Sequence, residues 1–361
     1  RICLVGSEMC IRDSPNIGAT NAGVTGAVNV GNSATNKLTM SGTTYKTGAG
    51  AADYEAKSGS TILLTAANPT VTTAAGDLSF STGDLVLSTN GTTTFTTGTT
   101  GAGSITVAGK INGTNTQTEA LAITSGTGAI QLQGAIGADA VLTGLSINAT
   151  DGASGTIEVA NIGATAEGVN TGAISIGNNA TNSLTLDGTI YRTDGTTIYE
   201  AKSGGTILLT GASPHIQTKG DDLTFDLGDL VLSTNGTTTI DTNLGSASAA
   251  GTLQIDGKIN TSSSTEALVL NAGTGNLTVG GAIGDTGGFT TITIGGGSAD
   301  GDITLANIGG TNAAASGAVA VGNTATETLT LGGTVYNTNE TQTYTAKTGG
   351  GNIDITGAAT F

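Results

Sequence analysis

Along most of the chain, apolar residues come singly or in pairs and alternate with polar ones. Ile157 and Val159 flank Glu158, Ile174 and Ile176 flank Ser175, and Leu184 and Leu186 flank Thr185. Leu277 and Val279 flank Thr278, and Ile303 and Leu305 flank Thr304. A period of two is the mark of a strand with one buried face. Gly, Asn and Asp separate these short runs, and Asn-Gly pairs at Asn90, Asn112 and Asn235 predict tight turns between them. No segment carries a period of 3.6 or a helix cap, so the pattern predicts an all-β chain.

The runs recur. NIGAT starts at Asn16 and Asn161 and NIGGT at Asn307. In the same register stand Asn32, Asn178 and Asn323, then Tyr45, Tyr191 and Tyr336, then Lys57, Lys202 and Lys347. GDLVLSTNGTTT begins at Gly83 and Gly228, and GKIN at Gly109 and Gly257. The chain therefore reads as a repeat over 15–160, a second over 161–306 and a partial third over 307–361, the last stopping at Phe361 inside a motif completed earlier. Nested strands within a long repeat favour stacked coils over a sandwich. The expected fold is a right-handed parallel β-helix, a β-solenoid of irregular coils of about 24 residues each, six to a repeat.

Composition narrows the function. The 60 glycines lack the every-third spacing of collagen, and no apolar run is long enough for a membrane helix. With 11 basic against 27 acidic residues, a net charge of -16 argues against nucleic acid or anionic lipid as a partner. Both cysteines, Cys3 and Cys10, lie in RICLVGSEMCIRDS, which matches nothing downstream. Its segment LVGSEMCIRD, residues 4–13, resembles the translated read-through of a transposase-based sequencing-library adapter, so 1–14 is set aside as a non-native segment. Without it the chain is cysteine-free and offers neither disulfide nor thiolate metal site.

The runs GNLTVGGAIGDTGGFTTITI, GSITVAGKIN and GTLQIDGKIN are similar to repeat segments of large bacterial surface exoproteins of the filamentous-haemagglutinin and β-strand-repeat adhesin type. That resemblance covers 16–361 and rests on composition and rhythm. It implies a secreted or cell-surface shaft built from further solenoid repeats, contacting surface glycans or proteins. The secretion and translocation domains of such families are absent from this sequence.

Candidate chemistry is sparse. His215 is the single histidine, and the first repeat has Thr70 in its place, so neither Cys/His metal chemistry nor a serine hydrolase base is supported. A β-helix polysaccharide lyase or hydrolase is the enzyme alternative, working through carboxylates. Its candidates are Asp221, Asp222, Asp226 and Asp229, whose first-repeat counterparts Gly76, Asp77, Ser81 and Asp84 keep two acids of the four. GGGSADGD offers Asp300 and Asp302 to calcium without the tandem array such sites use. The six tyrosines form three pairs, Tyr45 with Tyr54, Tyr191 with Tyr199 and Tyr336 with Tyr344. They suit either stacking on sugars or capping of a coil edge at a loop. Thr-x-Thr strings such as Thr291–Thr293 raise ice binding, but variable coil lengths argue against the flat ladder it needs. The expected function is a structural, adhesive shaft without catalysis or cofactor.

Overall fold

A computed structural model describes residues 11–14, 16–18, 26–114, 118–150, 152–164, 172–233, 235–244, 251–262, 265–296, 301–311 and 315–361. Cys3 and Cys10 fall outside these residues. Among them there is no helix, and every pairing between strands is parallel. The chain folds as a parallel β-solenoid divided into two compact units, one up to Gly163 and one from Gly172 on.

In the first unit each turn lays down three short strands in order, one on each face. The first face stacks Val28–Gly31, Ala52–Glu55, Leu78–Thr82, Ile105–Val107, Ile130–Leu132 and Ile157–Val159. On the second lie Lys37–Met40, Thr61–Leu64, Asp84–Leu87 and Ile111–Asn112, continued by the bridged residues Ile136 and Ile162. Thr44–Lys46, Thr70–Thr72, Gly91–Thr96, Glu119–Thr124 and Gly144–Ile147 form the third. Ile11–Ser14 pairs with Lys37–Met40 through Ile11 and Leu38 and, after a register shift, through Ser14 and Met40.

The second unit repeats the plan. Its first face runs from Ile174–Gly177 through Thr197–Glu200, Leu223–Asp226, Leu253–Ile255, Leu277–Val279 and Ile303–Leu305 to Thr328–Leu331 and Asn352–Ile355. Ser183–Leu186, Thr206–Leu209, Asp229–Leu232 and Ile259–Thr261 make the second, which Ile283, Ile308 and Tyr336 extend as bridges. Ile190–Thr193, His215–Thr218, Thr237–Asp241, Ala267–Asn271, Phe289–Ile294, Ser316–Val321 and Gln342–Tyr344 make the third.

The coils are irregular and near the expected length: on the first face of the first unit Val28 pairs with Ala52, Ala52 with Leu78, Leu78 with Ile105, Ile105 with Ile130 and Ile130 with Ile157, steps of 24 to 27 residues. One expectation needs correction, because a repeat does not hold a whole number of turns. Within the second unit Ser183–Leu186 lies on the second face, yet its repeat counterpart Thr328–Leu331 lies on the first. Thr197–Glu200 on the first face likewise answers to Gln342–Tyr344 on the third, and Tyr191 on the third to Tyr336 on the second. Within the second unit, the second repeat therefore covers five full turns and two-thirds of a sixth, which moves its features to a neighbouring face where they recur in the third.

Alternation builds the interior. In Leu184-Thr185-Leu186 or Leu223-Thr224-Phe225 the apolar residues are fully buried and the threonine between them is not. Each fully buried Leu, Ile or Phe side chain contributes about 1.5–3 kcal/mol relative to exposure. Three corners per turn need polar chemistry, because backbone N–H and C=O groups at a bend lose their ladder partners. At a corner motif that recurs in all three repeats, Gly31, Gly177 and Gly322 take φ of 87°, 88° and 72°. A Cβ there would meet the next turn's carbonyl oxygen at 1.9–2.1 Å, so only glycine fits. The following Asn accepts the N–H two residues on, at 2.8, 2.7 and 2.6 Å for Asn32, Asn178 and Asn323. Its own N–H donates to the hydroxyl of Thr35, Thr181 or Thr326, each buried.

A second corner is closed by hydroxyls pointing inward. Thr47, Thr73, Thr97 and Ser125 end successive strands of the third face and donate to the carbonyls of Gly50, Gly76, Gly103 and Gly128. Thr218 and Thr242 do the same for Asp221 and Gly251. The Asn-Gly turns are realised at Gly91 and Gly236, with φ of 112° and 134°. Asn112 departs from the expectation. It is a buried strand residue whose amide donates to Asp139 and whose carbonyl accepts the Asp139 N–H.

Candidate functional site

The tyrosine pairs are the most distinctive repeated residues, and the fold turns them inward. Tyr45, Tyr54, Tyr191, Tyr199 and Tyr336 are 0 or 1% exposed. Tyr344 is half-buried. The two rings of each pair sit on consecutive strands around a corner and meet edge to face, with centroids 6.2, 6.4 and 6.2 Å apart. Tyr54 then stacks on Phe80 at 5.4 Å and Tyr199 on Phe225 at 5.3 Å. A ring with no exposed face cannot stack on a sugar, so the five buried tyrosines are corrected from ligand contacts to core.

Their hydroxyls differ in role. Tyr45, Tyr191 and Tyr336 accept the N–H of Gly42, Gly188 and Gly333, three residues earlier, at 2.7, 2.6 and 3.0 Å. This closes the turn before the strand. The Tyr54 and Tyr199 hydroxyls are buried with no partner among the described residues. Desolvation holds Tyr54, Tyr191, Tyr199 and Tyr344 well above the ordinary phenol range.

The carboxylates separate by role as well. Asp222 accepts the N–H and hydroxyl of Thr252 on the next turn at 2.8 and 2.9 Å, and Asp229 the N–H of Lys258 at 3.0 Å. Their counterparts Asp77 and Asp84 accept the N–H of Ser104 and Lys110 at 2.8 and 3.0 Å. The acids kept in both repeats are therefore those that tie one turn to the next. Asp302 belongs to this class, accepting the Thr328 N–H at 3.0 Å. Asp300 lies outside the described residues, and no group of three or more His, Cys, Asp or Glu able to hold a metal occurs among them.

Asp221 and Asp226, which the first repeat lacks, are the less constrained pair. Desolvation raises both; the charges of Asp194 and Asp222 add to the first, and the Asp256 carboxyl, as hydrogen-bond partner and as charge, adds to the second. Asp226 is the register partner of Glu200 on one side. On the other, Phe225 pairs with Ile255, which sets Asp256 beside it. The Gln254 side-chain amide donates to the Asp256 carboxylate at 2.7 Å. Adjacent carboxyls of this kind can hold one proton between them. Their first-repeat counterparts are Ser81 and Ala108.

Sequence reasoning passed over one recurrent site. In TEAL, at 118–121 and 265–268, the glutamates Glu119 and Glu266 are 1 and 0% exposed. The Glu119 carboxylate accepts the Thr118 N–H at 3.0 Å and the Thr114 hydroxyl. That of Glu266 accepts the Thr261 hydroxyl. In both repeats a hydroxyl before the glutamate, on Thr118 or Thr265, also donates to Asn90 or Asn235 of the preceding turn at 3.0 Å. The signal was the identical TEA triplet after two loops of different length. Nearby, Lys110 with Asp139 and Lys258 with Asp285 form equivalent ion pairs of 2.9 and 2.7 Å.

His215 is exposed on the third face of the second unit, with Ile190 and Thr239 as register neighbours. No helix among the described residues is long and apolar enough to cross a membrane. Compared with known proteins, the chain matches no family model, no curated protein and no solved structure.

Proposed function

We propose that this chain is a shaft segment of a large secreted or cell-surface repeat protein, structural and adhesive in role, with no catalysis of its own. The observation that carries this reading is the fate of repeated residues. Of the candidate residues, those both repeats share, namely the tyrosine pairs, Asp77 with Asp222, Asp84 with Asp229 and Glu119 with Glu266, are spent on holding turns together. Residues that could do chemistry, Asp226 and Asp256, are not shared. Its partners on this reading are surface glycans or proteins, and further repeats of the same chain.

A second reading, a β-helix enzyme acting on polysaccharides, draws on the juxtaposed carboxyls of Asp226 and Asp256. One assay separates the two. Incubated with acidic polysaccharides, the purified protein should release no oligosaccharide. Turnover that disappears in Asp226→Asn would establish the enzyme and overturn the shaft.

A further inference from the structure

The third face of the first unit carries an outward array that none of the roles above uses. Thr44, Thr70 and Thr94 are successive register partners in one file, continued by Ala122 and Ser146. Lys46, Thr72, Thr96 and Thr124 form a second file two residues along. All four of these pairings run without a register shift, so the variable coil lengths that argued against a flat ladder are absorbed at corners and leave this face regular. The threonines are half-exposed, between inward residues such as Tyr45, Val71, Phe95 and Ile123.

Three features set the array apart. Among the described residues, only the Thr96 hydroxyl of its six threonines has a hydrogen-bond partner, the Gly98 N–H at 3.0 Å. By contrast, Thr47, Thr73 and Thr97, one residue beyond and pointing inward, each close a corner. The face is also nearly free of charge in a chain of net charge -16. Its outward positions hold no carboxylate and one lysine, Lys46, while Asp53, Glu55 and Glu158 stand on the first face and Asp84 on the second. Finally, threonine is stiff about its first side-chain torsion, so files of it present methyl and hydroxyl in one orientation.

Parallel strands repeat about every 4.8 Å across the sheet, and same-face residues about every 6.6 Å along a strand. The spacing across the sheet lies close to the oxygen repeat of hexagonal ice along its a axis, in the direction in which each file runs. We propose that this face binds ice: the free hydroxyls take lattice positions and the methyls between them exclude liquid water, on a sheet too rigid to lose entropy by docking. The Thr291–Thr293 string that first suggested ice does not qualify. Thr291 stands between Ala267 and Ala318, and Thr293 between Val269 and Ala320. The second repeat also breaks the array, with Arg192, His215, Gln217 and Asp241 where the first has Lys46, Thr70, Thr72 and Thr96.

The test is growth of a single ice crystal in a slightly supercooled solution of the full chain. The proposal expects a faceted crystal and a gap between melting and freezing points. Both should be lost in Thr72→Lys/Thr94→Lys and kept in Thr106→Lys, which alters the first face. Thr72→Ser/Thr94→Ser, which keeps the hydroxyls and spares the fold, should narrow the gap. A round crystal growing as in buffer would overturn the proposal. So would faceting that survives the double lysine variant, or adsorption to crystalline chitin or cellulose with none to ice. A negative result leaves the shaft reading intact, since that rests on interior and turn-tying residues.

Discussion

Tyr191 and Tyr199 meet edge to face in the interior, planes at 88°, and only one of their hydroxyls is bonded as an acceptor to the backbone, that of Tyr191 to the Gly188 N–H. The Tyr199 hydroxyl is buried without a partner among the described residues. Phenylalanine at the two positions should therefore have opposite effects. Tyr191→Phe leaves a buried N–H unpaired and should cost about 1–3 kcal/mol, whereas Tyr199→Phe removes a desolvated hydroxyl and should be neutral or stabilising. Urea unfolding of the two variants checks this, and equal losses would contradict it.

The same contrast holds between a threonine within the strand Gly91–Thr96 and one just past its end. The Thr97 hydroxyl donates to the Gly103 carbonyl at 2.6 Å, while that of Thr93 is buried without a partner among the described residues. Thr97→Val should lower stability by about 1–2 kcal/mol. Thr93→Val should not, and a melting point that drops equally in both would show that corner hydroxyls do not hold the turns.

Asp229 ties its turn to the next through the Lys258 N–H. Asp229→Ala should cost on the order of 1 kcal/mol, as loss of a capping acceptor does. Asp84→Ala should match it, because Asp84 makes the equivalent bond to Lys110. Thermal melts of the two variants side by side provide the check.

Asp226 gives a pH dependence of defined sign. Desolvation and the neighbouring Asp256 carboxyl raise it above an ordinary aspartate, so the folded state binds its proton more tightly than the unfolded state. The contribution is favourable below the ordinary aspartate range, near pH 4, and is lost as pH rises through the raised folded value. Asp226→Asn should therefore raise the melting point at pH 7 and leave it unchanged near pH 3. A gain at low pH alone would reverse the assignment.

Much of the fold was legible because alternation dictates which side chains face in, and Leu184, Leu186, Ile303 and Leu305 are buried as their spacing requires. The tyrosines were legible too. Tyr45 lies between Thr44 and Lys46 in a strand pattern, which already assigns its ring to the interior. The phase of the repeat was not legible. A unit of about 145 residues divides equally well into six short turns or into fewer, longer ones, since corners take variable numbers of residues and leave no periodic mark. For the two glutamates the recurring TEAL marks a shared site, but burial of the carboxylate depends on the hydroxyls of Thr114 and Thr261, which lie in loops of different length.

The central structural claim is that the second repeat advances by five turns and two-thirds, and one disulfide-trapping measurement decides it. With Cys3 and Cys10 replaced by serine, Thr304→Cys/Thr330→Cys should oxidise to a disulfide, because these outward residues are register partners on one face. Thr304→Cys/Ala320→Cys should stay reduced, because Ala320 lies on another face. A whole number of turns per repeat would instead place Ala320, the counterpart of Ser175, in the file that holds Thr304. Trapping of that pair, and not of Thr304 with Thr330, would contradict the account.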